Sequence, residues 1–136
     1  MNDLNNNCDW KEYIRKITKT KKIEKAAIIN KNGEVLCASN DLSVVEHDVM
    51  GFNCAFSGQY NSLMKLKLCG NCYTCFRPRD DQNTVVGRSG DEIIVLHRCK
   101  EFTIIGLGRS DTPGSCIYEV TKFGRRLVNT VQTVVS

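Results

Sequence analysis

Proline and long apolar runs are nearly missing from this chain. Its 136 residues include only two prolines and ten glycines, which excludes collagen-like repeats and Pro-rich linkers. No apolar stretch approaches the roughly 18 residues needed for a membrane span; the run from Ile93 to Leu96 has the length of a buried strand. The opening MNDLNNNCDW is polar and contains no apolar segment of a secretory signal. These absences predict a soluble, intracellular protein. Histidine is as scarce, with only His47 and His97. No nucleophile–base pairing can be assigned from two distant histidines, and no carboxylate pair stands out, so the chain is not expected to be an enzyme. The remainder is ordinary: 41% hydrophobic and 25% charged residues fit a globular chain. The length suits one domain with its own core.

The net charge of +4 is mild, and a pI of about 8.6 falls below the range above roughly 9 of dedicated nucleic-acid domains. Nucleic acid is therefore not an expected partner. The charge is unevenly placed. Between Lys11 and Lys25 seven basic residues face two acidic ones, and Lys122, Arg125 and Arg126 form a second basic group. Such groups read either as solvated helix faces or as contacts for an acidic partner or an anionic lipid surface.

Eight cysteines are many. Cys69-Gly-Asn-Cys72-Tyr-Thr-Cys75 overlaps two CxxC spacings, yet it lacks the second pair or nearby histidine of a zinc site. Flanking residues place strands on either side of Gly70-Asn71, and strand residues three apart point to opposite faces, so Cys72 and Cys75 would not chelate one ion. The cysteines read as free thiols, with no metal, no cofactor and no disulfide framework.

Residues 1–8 read as a flexible tail and 9–136 as one domain. Asp9 and Glu12 form a capping-box pattern before a helix over about 10–20, whose apolar face is Trp10, Tyr13, Ile14 and Ile17. Ala26–Ile29 and Val35–Ala38 flank Asn32-Gly33 as a hairpin. Ser43 and Glu46 are a second capping-box pattern, predicting a helix over about 44–56. Strands follow over 64–69, 72–77, Thr84–Val86, Glu92–His97 and Glu101–Leu107. Thr112 as N-cap and Pro113 in the first turn open the last helix, where Ile117, Val120, Gly124, Leu127, Val128 and Val131 trace one stripe. A glycine in mid-helix costs about 1 kcal/mol against alanine, so Gly124 signals close packing. Consecutive strands with tight turns predict an α+β domain with an antiparallel sheet.

The order and spacing of several short motifs resemble the profilin family over residues 9 to about 130. These are Trp10 and Tyr13 as W-x-x-Y; Ala26-Ala-Ile-Ile29 followed by Gly33-Glu-Val35 and Ala38-Ser39; Gly70 and Tyr73; Gly87-Arg-Ser-Gly90; Thr103-Ile-Ile-Gly106; and Thr112-Pro-Gly-Ser-Cys116 followed by Gly124 and Leu127. The resemblance implies a central antiparallel sheet with the terminal helices packed together on one face and a shorter helix on the other. It implies a monomeric, cytoplasmic, cytoskeleton-associated protein that binds monomeric actin. Carried over by position, the actin-binding residues are Arg88, Arg98, Thr112, Gly114, Ser115, Ile117, Tyr118, Thr121 and Lys122, with Leu63 beside them. The implied poly-proline cleft, used by proline-rich partners such as formins, contains Trp10, Tyr13, Leu36, Arg126 and Leu127. Leu36 replaces the family's strand tryptophan, Arg126 its last-helix aromatic, and Cys72 a lysine of the actin face. The two basic terminal helices are consistent with the family's phosphoinositide binding. The competing reading is an actin-independent sensor or scaffold domain of the PAS or roadblock type, which shares the helix-plus-antiparallel-sheet composition.

Overall fold

A computed structural model describes residues 10–59, 63–77 and 83–135, with side chains described as far as residue 127. The expected tail, the Asp9 cap, the Arg77–Asn83 turn beyond its two ends, and the side chains of Val128 and Val131 lie outside the described residues. In chain order the elements are α1 (Trp10–Lys19), β1 (Ile23–Asn30), β2 (Val35–Ala38), α2 (Glu46–Ser57), β3 (Met64–Leu68), β4 (Asn71–Phe76), β5 (Thr84–Ser89), β6 (Glu92–Cys99), β7 (Phe102–Arg109) and α3 (Pro113–Val135). No described helix is long and apolar enough to cross a membrane.

The seven strands form one antiparallel sheet in the order β2-β1-β7-β6-β5-β4-β3. Local chemistry sets the hairpins. At the β3–β4 turn, Cys69 (φ 52) and Gly70 (φ 82) are both left-handed, the two-residue geometry that matches strand twist. Leu68 therefore pairs with Asn71, and the turn sits one residue earlier than the expected Gly70-Asn71. The β6–β7 turn is Lys100-Glu101, because Cys99 pairs with Phe102. Strands β5, β6 and β7 run past the expected ends to Ser89, Cys99 and Arg109, since the backbone ladder continues through polar residues that interrupt the apolar pattern.

Alternation of side chains splits the core across the sheet. On one face α2 covers Ala27, Ile29, Leu66, Tyr73, Cys75, Ile94, Leu96 and Ile105 with Val49, Phe52 and Phe56. On the other, α1 and α3 cover Ile23, Ala26, Ile28, Ile93, Val95 and Ile104 with Ile14, Ile17, Cys116, Val120, Phe123 and Leu127. This is the predicted architecture.

Two local expectations are corrected. The N-cap of α2 is Val45, not Ser43: the Asp48 carboxylate accepts the Val45 N–H at 3.0 Å, so the reciprocal half of the box comes from two residues further on. The buried stripe of α3 is Cys116, Val120, Phe123, Gly124 and Leu127, with Ile117 only partly buried at its edge. The stripe is turned because α3 lies on glycines of β7. A β-carbon at Gly106 would approach Val120 Cγ2 to 2.6 Å, and one at Gly108 would approach Cys116 Sγ to 2.7 Å. The Cys116 thiol also donates to the Lys22 carbonyl at 3.2 Å, fastening the start of α3 to the α1–β1 connection.

Candidate functional site

Helices α1 and α3 cover only part of their face of the sheet; α3 rests on β6, β7 and β1. The same face of β5, β4 and β3 extends beyond α3. Register identifies its side chains. Lys65 pairs with Thr74, Thr74 with Arg88, Arg88 with Ile93, and Ile93 with Gly108 beneath Cys116. A neighbouring row runs from Phe76 to Val86, Val95 and Gly106 beneath Val120. The strip beside α3 therefore presents Lys65, Lys67, Cys72, Thr74, Phe76 and Arg88, with Leu63 next to them. Leu63 is 74% exposed, Phe76 39% and Tyr118 55%. Apolar and aromatic area flanked by Lys65, Lys67, Arg88 and Lys122 is the composition of an interface with an acidic partner.

The α3 side of this face follows from helical spacing. Ile117, Thr121 and Gly124 lie at i, i+4 and i+7, and Gly124 abuts His97 of β6. That flank faces the open strands. Thr112 and Ser115 are half-buried and Gly114 exposed at the helix start. Tyr118 stands outward, with Lys122 Nζ 5.2 Å from its ring centroid. Lys122 also approaches Glu119 at 3.4 Å.

Arg98 is not brought together with these residues. It alternates with Ile94 and Leu96 and so emerges on the α2 face. There its Nη2 donates to Asn53 Oδ1 at 2.6 Å, and its guanidinium carbon lies 4.2 Å from the Phe56 ring centroid. The positional carry-over grouped it with Arg88, whereas register places the two on opposite faces of the sheet. Conversely, Lys65, Lys67, Thr74 and Phe76 were not selected from the sequence. Their alternation with buried Leu66, Leu68, Tyr73 and Cys75 was the available signal.

The second set gathers around the N-terminus of α1. Trp10 and Tyr13 are half-buried, and Trp10 packs on Phe102 with ring centroids 5.3 Å apart and planes at 53°. Leu36 packs against the same core cluster. Leu127 is fully buried; with Tyr13, Ile14 and Phe123 it lines a small apolar gap between α1 and α3, so it supplies floor and not surface. Arg126 is exposed, its guanidinium carbon 5.5 Å from the Phe123 ring centroid. Phe102 and Phe123 are aromatic members that motif matching did not select. Exposed Lys11, Arg15, Lys16 and Lys19 of α1 and Arg125 and Arg126 of α3 make this end basic.

The thiols divide by burial. Cys54, Cys69 and Cys72 are exposed, while Cys75, Cys99 and Cys116 are buried. Cys72 and Cys75 lie on opposite faces of β4. Burial pushes the Cys75 and Cys99 thiols up to about 11 and also raises Cys116. Among the described residues no group of three or more His, Cys, Asp or Glu is placed to hold a metal ion.

The sequence model of the Profilin family matches residues 8–131. No curated protein sequence matches. Among solved structures, Acanthamoeba castellanii profilin IB is similar with a TM-score of 0.76 at 19% identity, covering 89% of this chain and 98% of that one. LokiProfilin2, solved in complex with rabbit actin, is similar with a TM-score of 0.73 at 15% identity, covering 88% and 95%. Mouse profilin IIa, solved with a double repeat from the FH1 domain of mDia1, has a TM-score of 0.69 at 13% identity, covering 90% and 99%.

Proposed function

The chain belongs to the profilin family, and on that premise we propose that it binds one actin monomer through the strip of open sheet beside α3. The observation that carries this reading is the juxtaposition of exposed Tyr118, Phe76 and Leu63 with the cations Lys65, Arg88 and Lys122. Aromatic and apolar residues in the middle of a patch supply affinity once desolvated, and peripheral cations supply steering. A one-to-one complex at the barbed-end face of actin would block nucleation and pointed-end addition while still delivering monomers to barbed ends. The protein acts in this by binding and not by catalysis, in the cytoplasm where its partner polymerises.

Poly-proline binding at Trp10, Tyr13 and Phe102 is part of the same proposal. A polyproline II ligand is already extended and loses little entropy on docking to an aromatic surface. With Leu36 and Arg126 at aromatic positions, the platform is smaller, and coupling to formin-type partners is correspondingly weak. The basic surfaces of α1 and α3 would hold anionic phosphoinositide headgroups.

Isothermal calorimetry with monomeric actin tests the reading. One-to-one binding at micromolar concentrations is expected, and it should be abolished by Tyr118→Ala combined with Lys122→Glu. No heat with a folded protein and a cognate actin would leave the family and fold standing and overturn the actin assignment in favour of a sensor or scaffold.

A further inference from the structure

A groove on the α2 face is separate from the strip beside α3 and meets the aromatic set around Trp10 only at Phe102, which stands in its lining. It has a volume of about 300 Å³ and opens where α2 meets the β1–β2 and β6–β7 turns. Its floor is apolar, from Ile29, Val49 and Phe52, and Arg98, Lys100 and Lys31 stand among its lining residues. Among the described residues Glu101 is the only carboxylate in that lining, and Lys31 Nζ already holds it at 2.9 Å. Two cations are left over. Among the described residues no carboxylate pairs with Arg98 or Lys100. Arg98 is held instead by the neutral Asn53 amide and the Phe56 ring, and burial, followed by the charge of Arg77, lowers its pKa. A fixed, partly desolvated guanidinium without a counter-charge gains most from an incoming anion.

We propose that this groove binds a small amphipathic anion, a phosphate or carboxylate carried on an aromatic or short aliphatic body, with the anion between Arg98 and Lys100 and the body over Phe52. The volume is at the lower end of the roughly 300–1,000 Å³ of small-molecule sites. It admits a molecule of one ring and excludes a folded partner. The sheet separates the groove from Tyr118 and Arg88, so its occupant leaves the proposed actin face unaltered.

Titration of the full-length, ¹⁵N-labelled protein with phenyl phosphate, followed by amide NMR, tests the proposal. Saturable shifts are expected at Gly33, Asn53 and Thr103. Inorganic phosphate and phenol, each offering half of the ligand, are expected to bind about tenfold more weakly, as loss of one charge-assisted hydrogen bond or of the buried ring implies. A benzoate titration decides between the two anions, and saturation by either supports the site. Arg98→Gln is expected to weaken binding about tenfold. It also loosens the link to α2, so Lys100→Asn serves as the second variant, because asparagine accepts the left-handed backbone at residue 100 (φ 57). The same loss is expected there with an unchanged fold. Equal shifts with inorganic phosphate, shifts confined to α1 and α3, or full binding by Lys100→Asn would each overturn it.

Discussion

Gly124 of α3 stands against the edge of the His97 ring: a β-carbon at 124 would come within 2.8 Å of His97 Cδ2 and 3.5 Å of Cys99 Sγ. The ring is held from behind, its Nδ1 bonded to the buried Thr84 hydroxyl at 2.9 Å. Gly124→Ala gains about 1 kcal/mol of helix propensity, but overpacking a closed contact costs about 1–3 kcal/mol. A net destabilisation of about 1 kcal/mol is expected by urea unfolding. Adding His97→Ala opens the space, so the double mutant cycle should show a coupling well outside additivity.

At Leu63 and Phe76 the proposed actin binding can be tested apart from folding. Both are exposed, so truncation to alanine is expected to change stability by less than about 0.5 kcal/mol. Phe76→Ala is nevertheless expected to weaken actin binding about tenfold, as for an interface residue worth at least about 1 kcal/mol. Arg88→Glu is expected to act more through the association rate and to steepen with falling ionic strength. Stopped-flow association with labelled actin distinguishes the two.

Trp10 is the only tryptophan of the chain and sits at the proposed poly-proline surface, so its emission reports on occupancy directly. A weak fluorescence change with oligoproline is expected, and Tyr13→Ala is expected to abolish it. Arg126→Tyr adds a ring beside Phe123 and is expected to tighten binding by about fivefold, the effect of one aromatic contact of roughly 1 kcal/mol.

Thiol titration and pH follow from burial. Cys54, Cys69 and Cys72 are expected to react with a disulfide reagent in the folded protein, and Cys75, Cys99 and Cys116 only after unfolding. Cys75 and Cys99 ionise near 9 when unfolded and near 11 when folded. The unfolded chain therefore loses these protons first, so their contribution to stability is complete below pH 9 and declines between about 9 and 11. Chemical denaturation across that interval should show a falling midpoint, diminished in Cys75→Ala and Cys99→Ala when each is compared with its own neutral-pH value.

What was readable in the sequence was what neighbours in the chain decide. Trp10, Tyr13, Ile14 and Ile17 announce a helix by spacing alone, and Thr112-Pro113 announces the start of another. Assignment of a residue to a sheet face depends on register over several strands, and this misplaced Arg98. A one-residue difference in a turn, such as Cys69-Gly70 in place of Gly70-Asn71, is invisible to composition because any non-glycine residue at a left-handed position reads as ordinary. The buried stripe of α3 was misjudged for a related reason. Its orientation is fixed by Gly106 and Gly108 on a distant strand, so Cys116 and Phe123 turn inward and Ile117 moves to the edge.

The seating of α3 on those glycines has an energetic consequence for recognition. Its inner side is interlocked with β7 and β6 at backbone distance, so the ridge bearing Tyr118 and Thr121 is rigid before any partner arrives. Docking there spends little on ordering the backbone, and the remaining cost falls on overall tumbling and on the side chains of Lys65, Arg88 and Lys122. Amides in the middle of α3 should accordingly be among the slowest to exchange with deuterium in the free protein, leaving complex formation little further protection to add.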